Sequence, residues 1–116
     1  MTDNESNKKV DKVIIIDNNV IFNEIITTHK KVVIFYGDTT CLSCIKYKPL
    51  YFRFAEKYHK QCTFLYTNVT DVNLNFPSLP YLVSYVNGNE FLTTGKDGIN
   101  TELIKTLLLP ILKLKL

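Results

Sequence analysis

Two cysteines three residues apart, Cys41 and Cys44, with Leu42 and Ser43 between them, are the side chains in this sequence best suited to chemistry. They follow an apolar run, Val32-Val33-Ile34-Phe35-Tyr36, that breaks at Gly37 and crosses Asp38-Thr39-Thr40. The run has the composition of a buried strand, and the residues after the loop read as the start of a helix. A cysteine at a helix N-terminus faces unpaired backbone N–H groups and the positive end of the helix dipole, both of which favour thiolate. Cys41 is therefore the expected nucleophile. Cys44, one turn further on, is placed to attack a mixed disulfide formed at Cys41, which makes it the expected resolving thiol. Such a pair is its own redox centre, and no cofactor beyond it is expected. Lys46 and Lys48 add positive charge farther along the helix, where screening makes their contribution small.

A zinc site is the competing chemistry, because Cys41, Cys44, Cys62 and either His29 or His59 amount to four ligands of suitable type. Cys62 follows the helix by a loop at the far end from Cys41, so convergence on one ion is not expected and no metal is assigned. Cys62 reads as a structural or partly exposed thiol, and both histidines as ordinary helix-end residues. Three cysteines are too few, and odd in number, for a secreted disulfide framework.

The elements that must position the pair follow from periodicity. Residues 1–12 are polar and mixed in charge, which predicts a flexible N-terminal tail ahead of one domain over residues 13–116. A strand over 13–16 passes through Asp17, Asn18 and Asn19, each a suitable cap, into a helix over roughly 19–28. Residues 32–36 form a central strand covered on both faces. From 41 to about 60 the pattern is helical, kinked at Pro49, with Cys41, Ile45, Phe52, Ala55 and His59 near one face and Leu42, Tyr51, Phe54 and Tyr58 broadening it. A strand over 63–68 precedes a short polar stretch over 69–78. Strands over 81–86 and 90–94 are joined by Asn87-Gly88-Asn89, a strong hairpin signal because Asn and Gly tolerate positive φ. Asn100 or Thr101 caps a last helix through Leu109, with Leu103, Ile104, Leu107 and Leu108 facing the core and Pro110 perturbing its end. Residues 111–116 fit either a further helical turn or an extended tail.

The 116 residues and 13.4 kDa suit one domain with a real core, and 46% apolar against 22% charged residues is an ordinary globular composition. The net charge of +3 rests on thirteen lysines and the single Arg53. Nucleic-acid recognition leans on the guanidinium fork, so none is expected. No apolar run approaches a membrane span and the first dozen residues have no signal-peptide core, which predicts a cytoplasmic protein with no membrane partner.

The β α β α β order followed by β β α, with four local features, resembles the thioredoxin family over nearly the whole chain after the tail. The features are Cys41-Leu42-Ser43-Cys44 after the central strand, Pro49 five residues beyond the second cysteine, Leu79-Pro80 before a strand, and Asn87-Gly88 in the hairpin. The resemblance implies an α/β fold: a central mixed sheet of four or five strands flanked by helices on both faces. It implies a cis Pro80 beside the dithiol, with Leu79, Pro80, Thr40 and Tyr81 as substrate-binding residues. It also implies protein disulfide substrates, a partner reductase or oxidase, and a monomer.

This sequence departs from the family pattern at Thr40, Leu42 and Ser43, and it contains no tryptophan. The family's buried aspartate corresponds to Phe35 and its partner lysine to Tyr66, so the acid that helps deprotonate the resolving thiol is missing. Asp38 is a substitute only if its loop folds inward. The segment ahead of Pro80 is also about five residues short. A second reading follows, in which the chain is a binding module that keeps the groove beside Pro80 with weak or no turnover. The aromatics Phe35, Tyr36, Phe52 and Phe54 are expected in the core, and the apolar C-terminus in the packing of the last helix.

Overall fold

The computed structural model describes residues 12–72, 75–95 and 98–115. Residues 1–11 of the expected tail and Leu116 lie outside the described residues. The elements are β1 (Val13–Ile16), α1 (Asn19–Thr28), β2 (Lys31–Gly37), α2 (Leu42–Tyr58), β3 (Thr63–Asn68), the single turn α3 (Val69–Val72), β4 (Tyr81–Val86), β5 (Asn89–Thr94) and α4 (Thr101–Lys113). One five-stranded sheet runs in the order β1-β3-β2-β4-β5, parallel from β1 through β2 and antiparallel from β2 to β5.

The central strand shows how the sequence divides the core. Val33 and Phe35 point to the face covered by α2 and α4, where Tyr51, Ala55, Ile104, Leu107, Leu108 and Ile111 pack against them. Val32, Ile34 and Tyr36 point to the opposite face, under Phe22, Ile25 and Ile26 of α1. A strand with both faces covered has no polar side to offer, which is why this stretch reads as a continuous apolar run. Asn18 Oδ1 caps α1 by accepting from Ile21 N at 2.9 Å, and Asn100 Oδ1 caps α4 by accepting from Leu103 N at 2.9 Å. At the hairpin, Asn87 (φ 53°) and Gly88 (φ 85°) both take the left-handed conformation that a tight two-residue turn demands.

Three expectations need correction. Helix α4 does not end at Leu109 but runs through Pro110 to Lys113. Pro110 forfeits one intrahelical bond, yet the turn it would end carries Ile111, which is fully buried and contributes about 1.5–3 kcal/mol. The buried stripe is therefore Ile104, Leu107, Leu108 and Ile111, at i, i+3, i+4 and i+7, and Leu103 lies on the solvent side. On α2 the inward residues are Cys44, Tyr51 and Ala55, whereas Leu42 and Ile45 are exposed, 82% and 57% respectively. Helix α2 continues through Pro49 as one element.

Candidate active site at the start of α2

Strand β2 ends at Gly37 because Tyr66 and Phe35 crowd that point. A Cβ on Gly37 would lie 3.1 Å from both the Tyr66 hydroxyl oxygen and the edge of the Phe35 ring. The chain then turns through Asp38, whose carbonyl accepts from Cys41 N at 3.2 Å and whose carboxylate accepts from Thr40 N at 3.4 Å. Cys41 is the N-cap of α2, in extended backbone conformation, and Ile45 N closes the first helical bond onto the Cys41 carbonyl. The cap's usual oxygen is here a sulfur, which accepts from Cys44 N at 3.1 Å. The Cys41 thiol donates in turn to the carbonyl of Leu79 at 3.5 Å. Cys41 thus sits half-buried between a backbone donor and a backbone acceptor, an arrangement that suits both a thiolate and a thiol.

Cys44 is buried, with 2% of its surface exposed. Burial, with the hydrogen bond to Cys41 second, pushes its thiol up to about 12; the charge of Asp38 adds to this and the Asp38 backbone partly offsets it. The loop does bring Asp38 within electrostatic reach, where its charge opposes ionisation of Cys44. Phe35 and Tyr66 occupy paired positions on β2 and β3, with ring centroids 5.5 Å apart, and both share a core cluster with Cys44. Lys48 does not face the thiols; its ammonium lies 4.3 Å from the centre of the Tyr66 ring.

The Leu79–Pro80 peptide is cis and brings the Leu79 carbonyl to Cys41. Cys41, Cys44, Leu79 and Pro80 therefore meet at one end of the sheet. Thr40 is exposed on the loop just before Cys41. Tyr81 opens β4 opposite Tyr36, and its ring stacks on Phe76 at 4.9 Å on the α1 side of the sheet. Cys62 lies beyond the other end of α2, buried, donating to the Thr63 carbonyl at 3.7 Å. Burial raises its thiol to about 12, with the charge of Lys31 pulling the other way. All three thiols are free. Among the described residues no three His, Cys, Asp or Glu side chains come together as a metal site, and no helix is long and apolar enough to cross a membrane.

A mixed sheet with helices on both faces and a two-cysteine cap at the start of its longest helix defines an α/β dithiol scaffold. Among solved structures the chain is similar to thioredoxin from Plasmodium falciparum, at 25% identity and a TM-score of 0.74, covering 81% of this chain and 94% of that one. It is also similar to a poplar thioredoxin h, at 17% identity, TM-score 0.77 and 90% and 99% coverage. Mitochondrial thioredoxin 3 from Saccharomyces cerevisiae gives 20% identity, TM-score 0.70 and 85% and 96% coverage. No protein-family model and no curated relative matches the sequence. The fold and the Cys41-x-x-Cys44 spacing together make this a thioredoxin-like protein.

Two site features escape a reading of the sequence. Phe76 bridges Tyr36, at 4.4 Å, and Tyr81; its only sequence signal is an aromatic residue in an otherwise polar stretch. Gly95 touches the backbone of Pro80 so closely that a Cβ would stand 2.4 Å from the Pro80 carbonyl oxygen. Its position after β5 marks it as a turn residue and nothing more.

Proposed function

We propose that this chain is a thiol–disulfide oxidoreductase acting on protein disulfides. Cys41 attacks one sulfur of a substrate disulfide, forming a Cys41–substrate bond and releasing the other substrate sulfur as a thiolate that takes up a proton. Cys44 then attacks the Cys41 sulfur, the second substrate thiol leaves, and the chain retains a Cys41–Cys44 disulfide, having passed two electrons to the substrate. A separate dithiol reductase restores the reduced pair, or an oxidase runs the cycle in reverse. Residues 13–116 act as one domain and as a monomer, in the cytoplasm, with no cofactor beyond the cysteine pair.

The observation that carries this reading is the seat of Cys41, capped by Cys44 N–H at 3.1 Å and facing the Leu79 carbonyl at 3.5 Å. A substrate chain lying along Thr40, Leu79, Pro80 and Tyr81 would present its disulfide to that sulfur. Reduction of insulin by dithiothreitol, catalysed by the wild type and by Cys41→Ser, tests it. The wild type is expected to accelerate precipitation and the variant to match the uncatalysed rate; equal curves overturn the proposal.

A second reading, a binding module with weak turnover, is favoured by one observation. Cys44 is buried beside aromatic rings, with no carboxylate to take its proton. On that reading Cys44→Ser and the wild type capture the same substrate as equally long-lived mixed disulfides.

A further inference from the structure

At the end of the sheet remote from Cys41, where β2 and β3 begin, a cavity of about 640 Å³ is lined by His29, Lys30, Lys31, His59, Lys60 and Lys115. Among the described residues no aspartate or glutamate lines it. A smaller hollow of about 170 Å³ shares His29 and His59 and adds Lys12. The larger volume falls within the range of small-molecule sites, but its walls are cationic rather than apolar.

Helix ends offer an ordinary explanation for cations here, and its size can be compared with the charge present. Helices α1, α2 and α4 all finish at this end, and Thr28, His59 and Leu114 from or beside their last turns line the cavity. Each helix C-terminus carries roughly half a negative charge, about 1.5 in all. Four lysines line the same space, so a clear positive excess remains even with both histidines neutral. Part of the helix-end demand is already met. Lys31 donates to the Leu114 carbonyl, and His29 N donates to Ile25 O at 2.9 Å. Lys30, Lys60 and Lys115 are exposed, and they have no partner role in capping the three ends. Like charges gathered around a concave wall raise the free energy of the empty site and focus the potential on whatever anion enters it.

The geometry points to a binding site, separate from the dithiol, for a small ligand carrying two or more adjacent phosphate groups. One phosphate would not draw on lysines from three separate segments, 30–31, 60 and 115, whereas a short phosphate chain spans them. Lysine serves such a ligand as a point charge, without the bidentate geometry of arginine.

The test is calorimetric titration of the reduced full chain with sodium tripolyphosphate, and separately with ATP, at constant ionic strength. One site per chain is expected. The double variant Lys30→Gln/Lys60→Gln should weaken binding at least tenfold, while Lys105→Gln, on the exposed side of α4, should leave it unchanged. Equal affinity for the two probes assigns recognition to the phosphate chain alone; tighter ATP binding adds contacts to the nucleoside. Both outcomes support the site. Absence of saturation, or equal weakening by Lys105→Gln, overturns it. Amide shifts on adding tripolyphosphate should centre on residues 28–31 and 59–63, and shifts centred on Cys41–Cys44 would also overturn it. Insulin reduction by the double variant should match wild type, so failure of this proposal and failure of the redox reading are separable.

Discussion

Phe35 on β2 stands beside Tyr66 on β3, ring centroids 5.5 Å apart, in the core cluster that also holds Cys44. Two aromatic rings thus fill the place from which a buried acid would draw the proton of the resolving thiol. With that thiol raised to about 12 by burial, its reactive fraction near neutral pH is small and grows tenfold with each pH unit. Resolution of the Cys41 mixed disulfide is therefore expected to accelerate close to tenfold per unit from pH 7 to 9. Rapid mixing with a chromogenic disulfide reads this directly, and a rate flat across that range would contradict the assignment.

The three thiols should differ sharply towards iodoacetamide in the folded protein. Cys41 is half-buried at a helix start, whereas Cys44 and Cys62 are 2% and 4% exposed and both are held protonated. One equivalent of label is expected on Cys41 at pH 7.5, with the other two modified at least about a hundredfold more slowly because reaction needs a thiolate and access. Peptide mapping after timed quenching decides the order.

Alkaline pH should destabilise the reduced protein, and the sign follows from the same two thiols. Each rises from an ordinary 9.0 to about 12 in the folded state, so the unfolded chain releases its protons first. Their contribution is complete below pH 9 and declines as pH climbs towards 12, by up to about 1.4 kcal/mol per pH unit for each thiol. Burial raises Tyr36, Tyr51 and Tyr85 as well, which extends the loss above pH 10. Urea midpoints at pH 7.5, 9.5 and 10.5 under reductant should fall in that order, and Cys62→Ala should make the decline shallower.

Gly95 and Gly98 make a matched pair. Both have positive φ, 118° and 108°, but an added Cβ meets the Pro80 carbonyl at 2.4 Å in one case and nothing within 4 Å in the other. Gly98→Ala is expected to cost about 1–3 kcal/mol from backbone strain alone. Gly95→Ala should cost visibly more and also lower insulin reduction, because Pro80 must shift. Equal urea midpoints for the two variants would refute the contact.

On α4, Ile111→Ala should cost roughly 2–5 kcal/mol and Leu103→Ala well under that, since only Ile111 is fully buried. Thermal melts of the two variants separate the observed stripe from one centred on Leu103.

The parts of this molecule that could be read from residue order are those set by local chemistry. The continuous apolar run of β2, the Asn87-Gly88 turn and the cysteine pair after Gly37 each encode their own geometry. The end of α4 was not legible, because a proline's local penalty is outweighed by the burial of Ile111, a fact of tertiary packing. Leu42 and Ile45 misled for a related reason: next to a helix start at the sheet's edge, helical spacing does not reveal which face meets the core. Phe76 and Gly95 belong to the site only through partners distant in sequence. Phe35 and Tyr66 could be singled out from spacing relative to Cys41, although their contact required the sheet.

The hydroxyl of Ser78 donates to the Gly95 carbonyl, and Gly95 lies against the backbone of Pro80. The loop that offers Leu79 to Cys41 is thus pinned from behind by the strand that ends the sheet. That strand has no reactive group, but its alignment with β4 is set at the Asn87-Gly88 turn and adjusted by a bulge at Ser84/Tyr85. A slip of one residue in this hairpin would carry Gly95 along the sheet, release Ser78, and move a carbonyl away from a sulfur at the far end of both strands. The alignment of an edge hairpin thereby acts as a ruler for the position of the thiol.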